Sequence, residues 1–124
     1  MGKENRKQKR INLNVEVGIS HASKLQKLYS KNISKGGIYL TADKPIPVGK
    51  EVELSFYIKE LDKEFKVRAV VLHVHTYETF EDESTLVKHY GMGLKFIDIS
   101  AQDQTVIDSF ITGKELKQGE KNWQ

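Results

Sequence analysis

Two arginines near the N-terminus are the first residues whose type and spacing can do chemistry. Arg6 and Arg10 stand four residues apart, with Lys7 and Lys9 between them. A guanidinium group is a planar fork of N–H donors that engages paired acceptors in bidentate fashion, whereas a lysine ammonium supplies only a point charge. Taken alone, such a cluster is more often solvated charge. Its sharper interpretation is the binding of an anionic ligand.

A second polar motif begins 22 residues after Arg10. Asn32, Ser34 and Gly37 form an Asn-x-Ser-x-x-Gly pattern with Gly36 inside it. The asparagine amide both donates and accepts hydrogen bonds, and serine offers a compact hydroxyl. Glycine permits a positive φ or a close approach of the backbone. By themselves these residues can also simply build a turn.

Alternating apolar and polar residues predict the strands that must position both motifs. The run from Ile11 to Ile19 has the period of a half-buried strand. The acidic stretch 77–85 predicts a connector. Five further strands are predicted at about 24–33, 38–42, 52–58, 65–74 and 90–96.

A helix is predicted after the last strand. Ser100 has the position of an N-cap, and Gly113 the position of a stop. Four apolar residues between them share one helical face: Val106, Ile107, Phe110 and Ile111. The predicted fold is therefore all-β, a six-stranded antiparallel β-barrel with one C-terminal α-helix.

Positive charge is concentrated at the N-terminus. Residues 3–10 hold five basic residues and Glu4, a net +4, so the rest of the chain sums to −1 within the total of +3. Proteins that grip duplex DNA spread positive charge over a face, since affinity grows with the number of phosphates neutralised. Tyr29, Tyr39 and Tyr57 are scattered and do not form a stacking series. We therefore expect no nucleic acid partner, and an oligonucleotide-binding barrel is the rival interpretation.

Metal and catalytic chemistry have little support. His73 and His75 lie two apart on a strand and share a face, a geometry that zinc can use with His21 or His89. Ordinary strand histidines are the simpler interpretation. No nucleophile elbow, Walker-type loop or paired acid–base spacing is present in the sequence. We expect no catalytic residue, no metal and no enzyme activity.

The cysteine content and the lengths of the apolar runs indicate where the protein is located. The chain has no cysteine, and no apolar run approaches the roughly 20 residues that span a bilayer. The sequence therefore predicts a soluble, cytoplasmic protein without membrane insertion.

The order and spacing of the two motifs resemble those of the PilZ domain, a bacterial receptor domain for the second messenger cyclic di-GMP. The segments GGIYL, PIPVGKEVELSF, VRAVVLHV and YGMGLKF add to the resemblance, which covers about residues 5–112. The second motif begins with Asn rather than Asp, an alternative that the family accepts. The resemblance implies a stand-alone domain with a flexible basic arm at 1–10, a barrel with its helix at 11–112 and a polar tail at 113–124.

The resemblance also implies where the ligand lies. Cyclic di-GMP would be held between the arginine segment and the Asn-x-Ser-x-x-Gly turn, with arginine forks on a guanine edge and a phosphate. No other cofactor is implied. The implied ligand-binding residues are Arg6, Arg10, Asn32, Ser34 and Gly37, with additional contacts from Lys7, Lys9 and Gly36.

A switch mechanism follows from the arm. Because the arm has little to bury by itself, we expect the ligand to order it across the barrel and to change the surface that a downstream protein reads. The alternative is a PilZ-like protein-interaction module that does not bind the nucleotide, since some domains of this type do not. One or two ligand molecules per site and any oligomeric state are compatible with the sequence.

Overall fold

A computed structural model of the chain describes residues 10–21 and 24–122, with side chains described for residues 10–20 and 26–114. These residues form seven strands, a short 3-10 turn at Lys59–Leu61 and one α-helix. The elements are β1 (Ile11–Asn12), β2 (Glu16–His21), β3 (Lys24–Ser34), β4 (Gly37–Ala42), β5 (Glu51–Ile58), β6 (Lys63–Phe80), β7 (Leu86–Asp98) and α1 (Ala101–Asn122).

Strands β2 to β7 form a closed antiparallel barrel. Neighbouring strands follow the order β3-β2-β5-β6-β7-β4, and the pairing of β4 with β3 closes the sheet on itself. Every second residue of β5 is buried, which places one apolar face of each strand inside the barrel. The predicted six-stranded barrel with a C-terminal helix is confirmed.

The first predicted strand is interrupted. The run from Ile11 to Ile19 divides into β1 and β2. At the residues between these two strands, the side chain of the buried Ser30 of β3 replaces part of the backbone hydrogen bonding. The Ser30 hydroxyl donates to the Leu13 carbonyl and accepts from the Val15 N–H at 3.0 Å. The two-residue β1 still pairs with β3, with Asn12 opposite Asn32.

The predicted connector at 77–85 is wrong over its first half. β6 continues to Phe80 and β7 begins at Leu86, and these two residues are register partners. Only residues 81–85 connect the strands. Both faces of this ribbon are largely exposed near its tip, so no apolar alternation marks the segment as strand.

Helix α1 packs on the barrel through the predicted face. Ile107 and Ile111 are fully buried, with Val106 and Phe110 packed against the core. The Ser100 hydroxyl accepts from the Asp103 N–H at 3.0 Å, which confirms the N-cap.

The predicted helix stop at Gly113 is wrong, since α1 continues to Asn122. Gly113 is exposed, and a single glycine in a helix costs only about 1 kcal/mol relative to alanine. Within the described residues, no helix is long and apolar enough to cross a bilayer.

Candidate functional site

The structure brings the two sequence motifs into contact. Arg10 directly precedes β1, and β1 pairs with the part of β3 that contains Asn32. An Nη1 hydrogen of the exposed Arg10 is donated to the Asn32 Oδ1 at 2.9 Å. Residues 22 positions apart in the chain therefore share one surface. The other residues predicted in the arm, Arg6, Lys7 and Lys9, lie outside the described residues.

The rest of the second motif builds a two-residue turn. Ser34 and Gly37 are register partners at the ends of β3 and β4, so Lys35 and Gly36 form the turn between them. Ser34 is 3% exposed, and its hydroxyl donates to the Gly37 carbonyl at 3.4 Å. The hydroxyl thus lies inside the turn and supports its shape. A direct contact of Ser34 with a ligand stays a prediction.

Close packing explains the glycine at position 37. A Cβ atom there would collide with the Leu94 carbonyl oxygen of β7. Of the two reasons that the sequence allows for this glycine, the structure supports the close approach of backbone, because the described glycine at positive φ is Gly49, with φ of 92°. The turn therefore sits directly on β7.

A group of rings continues the site across the outer face of the barrel, and we call Tyr39, His73 and His75 the aromatic strip. Tyr39 is the register partner of Asn32. Its ring centroid lies 5.6 Å from that of His75 and 6.4 Å from that of His73. The Tyr39 hydroxyl lies 2.5 Å from His75 Nε2. The strip is a partly exposed, flat and polar surface beside the Arg10–Asn32 pair.

Two sequence features on neighbouring strands together produce the aromatic strip. A register shift in β6 between Val71 and His73 turns both histidines to the outer face. On β7, Gly91 and Gly93 have no side chains in the path of the rings, and a Cβ at either position would collide with Tyr39 or His73. The signal was a Gly-x-Gly in one strand opposite a His-x-His in its neighbour.

The pKa of Tyr39 depends on burial and on nearby charges. Partial burial raises the pKa of Tyr39 above its ordinary value, the nearby Tyr77 adds to this, and the Arg10 charge opposes it. Tyr39 is therefore a neutral phenol at neutral pH, able to donate or accept a hydrogen bond.

The histidines do not assemble a metal site among the described residues. His73 and His75 do share a face, with ring centroids 6.3 Å apart. His89 instead stacks on Tyr77 at 5.2 Å and lies 2.8 Å from the Thr79 hydroxyl. In the part of the chain that the structure describes, no three His, Cys, Asp or Glu residues cluster as metal ligands do.

At the candidate site, Arg10 is exposed and Asn32 is half-buried. Two surface clefts of about 440 and 460 Å³ lie elsewhere, one over β2, β5 and β6 and the other beside Tyr29, Thr41 and His89.

The sequence matches the PilZ domain family over residues 4–113. Among curated proteins, none matches this sequence.

Several solved structures have a similar fold, and three of them are compared with this chain. The PilZ domain with c-di-GMP of YcgR from Escherichia coli has a TM-score of 0.76 and 14% identity, covering 95% of this chain and 97% of that one. The MrkH–c-di-GMP complex of K. pneumonia has a TM-score of 0.76 and 20% identity, covering 94% of this chain and 55% of that one. The inhibitor of motility MotI/DgrA of Bacillus subtilis has a TM-score of 0.71 and 22% identity, covering 90% and 52%.

At these sequence identities, the similarity to solved structures shows a shared fold and nothing more. This chain spans about half the length of the MotI and MrkH chains. The family match covers all seven described strands and α1 as far as residue 113. Both motifs fall within it, and the barrel joins them at one surface, so this chain belongs to the PilZ domain family.

Proposed function

We propose that this protein is a cyclic di-GMP receptor that binds its ligand on the outer face formed by Arg10, Asn32 and the aromatic strip. The observation that carries the proposal is the 2.9 Å hydrogen bond between Arg10 and Asn32, which joins the two motifs at one surface. The c-di-GMP complexes of the YcgR PilZ domain and of MrkH, which share this fold, support the choice of ligand.

The residue types suit a guanine nucleotide. The Arg10 guanidinium has five N–H donors, more than the Asn32 oxygen can accept, and its fork fits the O6 and N7 atoms of guanine or a phosphate. The Asn32 amide can bond another guanine edge. Each bidentate contact of this kind contributes about 1–3 kcal/mol, so micromolar affinity, about 8 kcal/mol, needs several together.

The aromatic strip supplies a face for a base. Tyr39 and His75 are stacked with an interplanar angle of 26°, and Tyr39 is the register partner of Asn32. Stacking of a base on an aromatic ring contributes about 1–3 kcal/mol. Arginine and asparagine would thus bind the edge of a guanine whose face rests on these rings.

The N-terminal segment completes the proposal. Arg6, Lys7 and Lys9 would add charge for the two phosphates, because they precede Arg10 by only a few residues. Binding would order this segment across the face formed by Arg10, Asn32 and the aromatic strip, and a downstream protein would recognise the new surface. The role is regulatory and not enzymatic, and a receptor for a bacterial second messenger acts in the cytoplasm.

Calorimetric titration with cyclic di-GMP tests the proposal. We expect binding by the full chain, and a loss of affinity of at least about 100-fold in Arg10→Ala, since the guanidinium contributes both charge and a bidentate contact. Arg68→Ala is the matched control, because Arg68 is also an exposed arginine and pairs with Glu53 on another part of the barrel.

The two results that contradict the proposal differ. Undiminished affinity in Arg10→Ala with an unchanged circular dichroism spectrum would show that the site lies elsewhere. No heat and no thermal shift with the unaltered chain would favour the protein-interaction module.

A further inference from the structure

The turn at Lys35–Gly36 is held by contacts from two other elements. The backbone N–H of Phe96 in β7 donates to the Gly36 carbonyl at 2.9 Å. The side-chain amide of Gln104 in α1 donates to the Lys35 carbonyl at 2.8 Å. The turn that follows Asn32 in the candidate site is therefore hydrogen-bonded to α1 by a residue 69 positions further along the chain.

Gln104 is itself held in place for this contact. It lies in the first turn of α1, where its N–H donates to the Ser100 carbonyl at 2.9 Å. Its side-chain nitrogen also donates to the Asp108 carboxylate at 2.7 Å, one helical turn further on. Because a carboxamide nitrogen has two hydrogens, both are used by these two acceptors. The side chain is half-buried, which protects both hydrogen bonds from water.

Helix α1 also lies beside the other half of the site. Cα atoms of α1 come within 8 Å of those of β1, the strand that directly follows Arg10. The start of the helix is further fixed to the barrel by the ion pair of Asp103 with Lys63 at 3.3 Å. Both segments that form the site therefore rest against one helix.

We propose that Gln104 is a positioning residue that couples occupancy of the cyclic di-GMP site to the docking of α1. The identity of the ligand rests on the function proposed above. Since coupling between two sites is reciprocal, a helix that fixes the turn for the ligand is in turn stabilised when the ligand binds.

Three variants of the full chain test this. Gln104→Leu keeps the bulk of the side chain and removes both donors. Gln104→Lys keeps a donor for the Lys35 carbonyl and a positive charge for Asp108. Gln102→Leu is the matched control, because Gln102 is exposed in the same helical turn. Affinity for cyclic di-GMP is measured by calorimetry, and amide hydrogen exchange is measured at residues 32–37 and 101–112 with and without ligand.

We expect the ligand to slow exchange at the start of α1 in the unaltered chain and in Gln102→Leu. In Gln104→Leu, affinity falls by about three- to tenfold, the range for one hydrogen bond, and the response of α1 disappears while that of residues 32–37 remains. A merely structural role would lower affinity without separating these two responses. Gln104→Lys should recover both. A full response of α1 in Gln104→Leu, with unchanged affinity, overturns the coupling.

Failure of the proposed function gives a different result. If the unaltered chain binds no cyclic di-GMP, the ligand assignment is wrong. The contact between Gln104 and the turn is then tested by amide exchange in the free protein. Gln104→Leu should then exchange faster at residues 34–37 than Gln102→Leu does. Equal rates in these two variants overturn the role of Gln104.

Discussion

Two turns of the barrel differ in whether other elements of the fold also bond to them. The Lys35–Gly36 turn is bonded from outside, by the Phe96 N–H of β7 and the Gln104 side chain of α1. Its neighbour Gly37 lies directly on the backbone of β7. The shape of this turn therefore depends on where β7 and α1 lie.

The loop at 81–85 is bonded from within. The Asp82 carboxylate accepts hydrogen bonds from the N–H groups of Ser84 and Thr85, both at 2.9 Å. The Glu81 N–H donates to the Thr85 carbonyl at 2.9 Å. Every described hydrogen bond of this loop stays inside it, so its shape is independent of the rest of the barrel.

The difference predicts that structural changes pass between the Lys35–Gly36 turn and the rest of the fold, whereas the loop at 81–85 only connects β6 to β7. A change at the Lys35–Gly36 turn reaches β7 and α1, and a change in either reaches the turn. A change in the loop at 81–85 stays local. Perturbations near the first turn should therefore affect stability and ligand affinity together, and perturbations of the second should affect neither strongly.

Gly37→Ala should have the largest effect. Its methyl group would collide with the Leu94 carbonyl oxygen, and backbone at this point cannot move without shifting β4 against β7. We expect a loss of about 3 kcal/mol in the free energy of unfolding, at the upper end of the range for overpacking. Urea denaturation measures this, and affinity for cyclic di-GMP should fall with it.

Gly113→Ala is the matched control for that change. A Cβ at position 113 meets no atom within 4 Å, and the residue is exposed in α1. Alanine should therefore stabilise the helix by up to about 1 kcal/mol. If the two substitutions had equal effects, the close packing of Gly37 on β7 would not be what matters at that position.

Ser30→Ala should have the next largest effect. Ser30 is buried, and its hydroxyl serves the Leu13 carbonyl and the Val15 N–H between β1 and β2. Removing it leaves buried backbone groups without a partner, at a cost of about 1–3 kcal/mol in unfolding free energy. Because β1 directly follows Arg10, we also expect weaker binding of cyclic di-GMP.

Ser20→Ala provides the comparison, since Ser20 is exposed on β2. Its unfolding free energy should stay within about 0.5 kcal/mol of the unaltered chain. A stability of Ser30→Ala as high as that of Ser20→Ala would show that the hydroxyl of Ser30 is not needed at the break between β1 and β2.

The barrel was predictable because most of its strands bury one face. Along β5 every second side chain is buried, so the alternation in the sequence records the structure directly. The tip of the β6–β7 ribbon buries neither face, and its strand character comes from pairing with its neighbour, which no local pattern records. The break after Asn12 depends on the Ser30 side chain, 18 residues away.

The candidate site could be predicted in part for a related reason. Arg10 and Asn32 stand in motifs whose residue types already indicate ligand chemistry, and the structure joins them. The aromatic strip depends on a register shift in β6 and on two glycines in β7, so it required knowledge of which strands are neighbours. The contact from Gln104 likewise has no local signal, because glutamine on a helix is ordinarily a surface residue.

Asp82→Asn should have the smallest effect and gives the sharpest test of the comparison. Hydrogen bonds from the Ser84 backbone and the Thr85 hydroxyl hold the pKa of Asp82 below its ordinary value. Since the pKa is lower in the folded than in the unfolded chain, the carboxylate stabilises the loop above the unfolded-state pKa, and this contribution is lost as pH falls through the folded-state pKa. Protection of the Ser84 and Thr85 amides, measured relative to their intrinsic exchange rates at each pH, should fall over that acidic range in the unaltered chain, and should show no such transition in the variant, whose side-chain amide does not titrate. Affinity for cyclic di-GMP should not change in Asp82→Asn, because all described bonds of the loop are internal. A loss of affinity comparable with that of Gly37→Ala would mean that the ribbon tip takes part in the site and that the two turns do not differ in the way described.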